Sequence, residues 1–195
     1  MAEKDVFAKY DSLLNTELKE YGILNYMTSH DDGQPFDKER EMAYKTATML
    51  LLTPGTSQVY YGDESARDLT IEGTVGDATL RSFMNWDAIS SDKNTKEVLN
   101  HWQKLGQFRA NHTAVGAGKH QLISDENGLV FSRVRNDDKI IAGINLSKGN
   151  KELNVASIFE NGQKLQDFYS NQRVEVKDGK VSLDSEFDIV LLEKI

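Results

Sequence analysis

Near residue 117 the texture of the chain changes, and that change constrains the fold more than any other feature. Before it, helical and strand patterns alternate. Phe7, Tyr10, Leu14 and Leu18 recur at helical spacing, so residues 3–20 read as an amphipathic helix with Gly22 as its stop. Residues 23–29 read as a short strand. Ile23, Leu24, Tyr26 and Met27 leave it no polar face, which suits burial in a parallel sheet. Asp37 is placed to cap a helix with Glu39 and Glu41 in its first turn and Met42, Thr46, Met49 and Leu50 on its buried face. Thr53-Pro54-Gly55 ends that helix, and residues 57–61 form a second strand closed by Gly62-Asp63-Glu64. Strand, helix, strand with short links is the pattern of a parallel sheet. Residues 65–92 show no period and read as a long loop, the kind that is functional or packed under something. Residues 96–110 return to helical spacing through Val98, Trp102, Leu105 and Phe108.

After Gly116 and Gly118 the runs shorten. Residues 129–135, 139–146, 173–177, 180–183 and 187–192 are split by turn signals at Glu126-Asn127-Gly128, Asn136-Asp137-Asp138, Asn161-Gly162 and Asp178-Gly179. Strands at this spacing predict an antiparallel sandwich. The expected division is therefore 1–117, of α/β type, and 118–195, all-β.

The sharpest chemical signal lies where the first strand would emerge. His30, Asp31 and Asp32 follow the run Asn25-Tyr26-Met27-Thr28-Ser29 directly. In parallel α/β architectures chemistry sits at the carboxyl ends of strands. A His-Asp pair delivered there can hold a polar substrate and stabilise developing positive charge. Taken alone, the same residues are as readily a hydrogen-bonded structural histidine and turn caps.

Composition narrows the partners. A formal net charge of −8, with no Lys/Arg cluster, argues against nucleic acid and against an anionic membrane surface. The absence of cysteine excludes disulfides and thiolate metal sites. No run has the length of a membrane-spanning helix, and Met1-Ala2-Glu3-Lys4-Asp5 has no apolar signal region. Periplasm, exterior and cytoplasm all remain compatible.

Three motifs in order carry a resemblance. Thr28-Ser29-His30-Asp31 is similar to the fourth signature motif of the α-amylase family, glycoside hydrolase family 13, which ends in His-Asp on barrel strand seven. Residues 53–64, Thr-Pro-Gly-Thr-Ser-Gln-Val-Tyr-Tyr-Gly-Asp-Glu, resemble the passage from helix seven to strand eight. Residues 105–112, Leu-Gly-Gln-Phe-Arg-Ala-Asn-His, followed by Gly116, resemble the segment leading into the carboxyl-terminal β-domain. The resemblance implies a partial (β/α)8 barrel, strands seven and eight with their helices, followed by an antiparallel β-sandwich.

It also implies a division of labour. A retaining glycosidase needs a nucleophile and an acid/base carboxyl group across the scissile bond. In this family they lie on strands four and five and have no counterpart in this chain. Asp31 would be the third carboxylate, a transition-state and positioning residue. His30 would bind sugar hydroxyls, and Asp32 is a further substrate-binding candidate. The chain reads as a carboxyl-terminal fragment of an enzyme acting on α-1,4-glucans, inactive alone. The family often has an arginine shortly after the His-Asp pair; here Gly33-Gln34-Pro35-Phe36 follows, and Arg40 comes late. No organic cofactor or redox metal is implied. Calcium is compatible with the longer protein, with no residues of this chain assigned to it.

Other candidates have bland readings. Tyr60 and Tyr61 read as core, Asp63 and Glu64 as substrate contacts or loop braces, Arg81 and Trp86 as anchors of the long loop, and Trp102 as core. His101, His112 and His120 show no metal spacing, and Asp137-Asp138 reads as a solvated turn. A chain with only two barrel strands would leave Ile23, Leu24, Val59 and Tyr60 facing water, to be covered by folding residues 1–115 back on the β-region or by self-association through the barrel strands. The alternative to a glycosidase part is a carbohydrate-binding or purely structural, oligomerising module. Carbohydrate binding by the β-region would need exposed Tyr or Trp, and it contains no Trp.

Overall fold

The computed structural model describes residues 3–123 and 128–195, apart from the side chain of Asp77. Most of the turn expected at Glu126-Asn127-Gly128 lies outside the described residues. The chain divides into two compact units, Ile23–Gln107 and a second one made of Met1–Gly22 with Phe108–Ile195.

In the first unit, β1 (Leu24–Asn25) pairs in parallel with β2 (Thr56–Ser57). The parallel pairing follows the sequence pattern, but the ladder is two residues long where strands of seven and five were expected. Leu24 is 58% and Tyr26 51% exposed, so the run is not the buried strand its apolar character predicts. A parallel strand is buried only when neighbours cover both faces. The polar residues are the buried ones instead, Thr28 and Ser29.

Between the strands lies α2 (Ala43–Leu52), which buries Thr46, Ala47, Met49, Leu50, Leu51 and Leu52. It starts six residues after Asp37, later than expected, and Met42 is 38% exposed. Asp37 still serves the helix start. Its buried carboxylate accepts from the Met42 amide (3.0 Å) and the Thr46 hydroxyl (3.4 Å). Gly55 turns the chain at φ 93°, and a Cβ there would sit 2.6 Å from the Ile23 carbonyl oxygen, so only glycine allows the pass.

Residues 65–92 are not structureless. Two 3-10 turns, Asp63–Ser65 and Gly76–Leu80, precede α3 (Trp86–Ser91). The long helix α4 (Lys93–Asn111) then follows, three residues longer at its start than its spacing suggests. Asp92 caps it, accepting from the Thr95 amide at 2.7 Å. That bond, before any other influence, holds the Asp92 carboxyl below the usual carboxylate range.

The second unit is built on an antiparallel sheet of β3 (Lys119–Ile123), β4 (Leu129–Arg135), β5 (Asp138–Ile144), β10 (Val190–Lys194), β7 (Lys164–Asp167) and β8 (Gln172–Glu175), in that spatial order. A separate antiparallel pair joins β6 (Gly149–Asn154) to β9 (Lys180–Ser185). Val130, Ile141, Leu165, Val190 and Leu192 of the sheet and Leu153, Val181 and Leu183 of the pair form one apolar core. The β9 strand alternates strictly, with Val181, Leu183 and Ser185 inward. Five consecutive residues of β4 are buried instead. Its second face is covered by α1 (Glu3–Leu14) and α5 (Thr113–Ala117), and Phe7 stacks on Phe131 at 4.7 Å. Two-sided cover erases the period of two. Strands β3, β6 and β7 had no signal of their own in the sequence.

The helix α1 ends at Leu14, six residues short of expectation, and Phe7 is its buried residue. His120 on β3 fastens it. His120 Nε2 lies 3.1 Å from the Phe7 carbonyl oxygen, and Nδ1 accepts from Arg133 Nε at 2.7 Å. Phe7→Ala should therefore cost about 3–5 kcal/mol, because it removes a fully buried ring that touches both His120 and Phe131. Urea unfolding measures it; a loss no larger than that of an exposed substitution in α1 would show that the helix is not part of the cooperative unit.

Candidate functional site

The chain leaving β1 forms a turn whose inner half is polar and buried and whose outer half carries charge. Ser29 Oγ donates to Asp31 Oδ1 at 2.8 Å, and the Asp31 amide returns to Ser29 Oγ at 3.4 Å. His30 Nε2 stands 3.9 Å from Asp31 Oδ2, with both side chains 61% exposed. The Ser29 hydroxyl first, and the neighbouring His30 second, hold the Asp31 carboxyl below the usual carboxylate range. Asp31 is thus an ionised, solvent-facing acceptor at neutral pH. Asp32 turns the other way, its Oδ1 accepting from the Gln34 amide at 3.0 Å. The structure therefore brings His30 and Asp31 together and uses Asp32 to close the turn.

The turn rests on a buried ion pair. Arg40 Nη2 donates to Asp63 Oδ1 at 2.7 Å, and its Nε to the Arg67 carbonyl at 2.8 Å. The side chains of Arg40 and Asp63 are 8% and 0% exposed. Burial pushes the Asp63 carboxyl up, against the pull of Arg40. The hydroxyl of buried Thr28 is close to Asp63 without a hydrogen bond of ordinary geometry. So Arg40, too late in sequence to match the family position, ties Asp63 to the Arg67 carbonyl, and Asp63 is a brace. The spacing of Arg40 and Asp63 carried no sign of the pair, because a turn with Arg40 at φ 58° is what lets it reach back.

Arg67 continues the brace. It is 1% exposed, donates through Nε to the Tyr61 carbonyl (3.0 Å), and lies over the Tyr61 ring at 4.0 Å. Gly62 beside it has φ 85°, and a Cβ would meet Arg67 Nε at 2.5 Å. The two tyrosines are not core. Their hydroxyls donate to the Leu80 (3.0 Å) and Ser82 (2.9 Å) carbonyls and hold the long loop down. Glu64 Oε2 accepts from the Gly62 amide at 3.0 Å and is a loop brace too. Arg81 anchors, as its sequence context suggests: Nε donates to the His30 carbonyl at 3.3 Å. Trp86 does not, since its ring is 68% exposed. Trp102 is core, 4% exposed.

The remaining histidines are structural. His101 meets the Thr48 hydroxyl and the Tyr44 carbonyl at 3.0 and 3.1 Å. His112 bridges Asp138 (2.7 Å) and Glu193 (2.6 Å). Asp138 is therefore no solvated turn. It also accepts from the Ala114 amide at 2.7 Å and from the Thr113 hydroxyl at 3.2 Å. Among the described residues no group of three or more His, Cys, Asp or Glu is arranged to hold a metal ion, and no helix is long and apolar enough to cross a membrane.

A parallel strand pair ending in this turn, followed by the helix into an antiparallel β unit, matches solved structures over nearly the whole chain. AmyP, crystallised in complex with maltose, superposes with a TM-score of 0.70 at 15% identity, over 95% of this chain and 43% of its own. An Anoxybacillus α-amylase superposes with a TM-score of 0.66 at 20% identity, over 99% of this chain and 45% of its own. These likenesses show the fold alone: the chain has the architecture of just under half of each of those chains. In sequence, the periplasmic α-amylase of Escherichia coli (strain K12) is 42% identical over 125 residues, 64% of this chain. The chain is thus similar to an α-amylase in sequence, and it spans 18% of the length of that relative. No profile of a known protein family matches it.

Proposed function

We propose that this chain is the carboxyl-terminal part of a retaining glycoside hydrolase that acts on α-1,4-glucans. Residues 1–117 are the last two βα units of its (β/α)8 barrel, and 118–195 its β-sandwich domain. The observation that carries the reading is the His30-Asp31 turn at the end of β1, with an ionised Asp31 held by Ser29 and a His30 carbonyl held by Arg81. Asp31 strengthens its hydrogen bonds to sugar hydroxyls as the ring flattens, and interactions that tighten only at the transition state are those that raise rate. His30 binds hydroxyls in the ground state. Asp32, with one oxygen committed to Gln34, contributes through its other oxygen. The maltose in AmyP supports an α-glucan as the ligand.

The chain holds one of the three carboxylates that the family reaction uses, so it is inactive alone. A reducing-sugar assay on the purified chain with starch should give no turnover. Turnover that Asp31→Asn removes would sink the reading. In a longer protein with the missing strands, Asp31→Asn should lower kcat far more than it raises KM.

The rival, carbohydrate binding by the β unit, has little support. Phe131, Phe159 and Tyr169 are buried there, and Phe187, at 41%, is the large aromatic left exposed among the described residues of 118–195. The same reading predicts association. Leu24, Tyr26, Val59 and Tyr61 are 58, 51, 44 and 42% exposed, while Ile23 and Tyr60 are half-buried. Burial of such side chains is worth roughly 1.5–3 kcal/mol each when complete. Light scattering over a dilution series should show a concentration-dependent oligomer; a monodisperse monomer throughout would refute association.

A further inference from the structure

We infer that Ser29 and Thr28 are positioning residues for Asp31, the last members of a line of polar groups that runs from the buried Arg40–Asp63 pair up to the exposed carboxylate. The inference rests on the reading of Asp31 above and deepens it. An aspartate on an exposed turn samples several rotamers, and each points its charge elsewhere. A group that acts by tightening on a transition state has to be aimed beforehand, because reorganisation during the reaction cancels the gain. The Asp31 side chain is 61% exposed, yet one of its oxygens is committed. Oδ1 accepts from Ser29 Oγ at 2.8 Å, and the Asp31 amide closes back onto the same Ser29 oxygen at 3.4 Å. Oδ2 is left on the side of His30 Nε2, 3.9 Å away. Ser29 thereby decides which carboxylate oxygen a ligand meets.

Ser29 is held in turn by the residue before it. Thr28 is fully buried. Its Oγ1 and Asp63 Oδ2 both lie buried without a hydrogen bond of ordinary geometry, and they neighbour one another. Buried polar atoms are rarely left single, and a hydroxyl rotates to suit its acceptor. A small rotation of Thr28 joins the two, with the hydroxyl donating to Oδ2. Asp63 is a fixed acceptor for it. Its Oδ1 already takes Arg40 Nη2 at 2.7 Å, and its amide donates to the Tyr60 carbonyl at 3.0 Å. Packing alone gives no reason for threonine here, since valine fills the same volume and leaves no hydroxyl to satisfy. The order is therefore Arg40, Asp63, Thr28, Ser29, Asp31. Each member fixes the next, and the peptide between Thr28 and Ser29 carries the constraint from the buried side to the exposed one.

NMR on the 195-residue chain tests both links. In the unaltered chain the Thr28 hydroxyl proton should exchange with water slowly enough to be observed. The titration midpoint of the Asp31 carboxyl carbon lies below the ordinary carboxylate range in the unaltered chain. It should rise towards that range in Ser29→Ala, rise less in Thr28→Val, and return in Thr28→Ser, which keeps the hydroxyl. A residue that merely stabilised the fold would move the urea midpoint and leave the Asp31 titration where it was. That result for Thr28→Val would overturn the role of Thr28, and so would a Thr28 hydroxyl in fast exchange with water. An unchanged Asp31 titration in Ser29→Ala would overturn the role of Ser29 and the whole line with it. The hydroxyl measurement needs no substitution, so it decides for Thr28 even if Thr28→Val does not fold. None of these results bears on the α-glucan reading, which stands or falls on turnover by the longer protein.

Discussion

Replacing Arg40 by alanine should destabilise the Ile23–Gln107 unit by about 3–5 kcal/mol, because it strips the counter-ion from a buried carboxylate. Asp63 is 2% exposed, and burial already pushes its carboxyl up against the pull of Arg40. Without Arg40, Asp63 must either take up a proton or open the structure to reach solvent. The Arg67 carbonyl loses its donor at the same time. The loss should shrink at low pH, where Asp63 is protonated in the folded and unfolded states alike. A double variant, Arg40→Met with Asp63→Leu, should recover most of it, since a buried pair replaced by apolar groups of similar size is often near neutral. Urea midpoints for the three proteins decide. A deficit for Arg40→Ala below about 1 kcal/mol, the range of exposed pairs, would show that Asp63 is hydrated after all. Amide exchange at Thr28 to Asp31 should rise in the single variant, because the turn that carries His30 and Asp31 lies beside this pair.

Acid should release α1 well before it unfolds an ordinary carboxylate-stabilised protein. His120 is 1% exposed, and burial first, with the Arg133 charge second, lowers it from 6.5 to about 3. The sign follows from the direction. A histidine lowered in the folded state binds fewer protons there than in the unfolded chain, so stability rises with pH across that window. The contribution is whole above the unfolded value, is lost progressively as pH falls from 6.5 towards about 3, and amounts to roughly 4–5 kcal/mol in total. Protonation also forces a second N–H towards Arg133, which already donates to Nδ1. His120→Gln carries one acceptor and one donor for the same two partners and does not titrate. Its unfolding midpoint should fall much less between pH 7 and pH 4 than that of the unaltered chain. Parallel pH profiles for the two proteins would remove His120 from the acid response.

These effects come from contacts that the residue order does not announce, and the same holds across the fold. The amino-acid sequence alone determined the switch from helices to antiparallel strands after residue 117, the helix through Val98, Trp102, Leu105 and Phe108, the parallel pairing of two short strands around α2, and the resemblance to α-amylases, through motifs that need no partner to be recognised. It also set out His30 and Asp31 as a pair, since adjacent residues after a strand share one turn whatever else the chain does. Local patterns survive because spacing of about 3.6 residues and tight-turn chemistry are properties of the segment itself. Tertiary structure decided the rest. Strands β3, β6 and β7 exist because neighbours offer them ladders, and β4 lost its alternation because α1 and α5 cover its second face. Tyr26 and Leu24 are exposed despite an apolar run, while Thr28, Ser29, Asp63, Arg67 and Arg133 are buried despite their polarity. Burial of a polar group depends on whether distant residues complete its hydrogen bonds. Arg40 reaches Asp63 across 23 positions and His120 meets Phe7 across 113, separations at which no window along the chain carries information about which groups will meet.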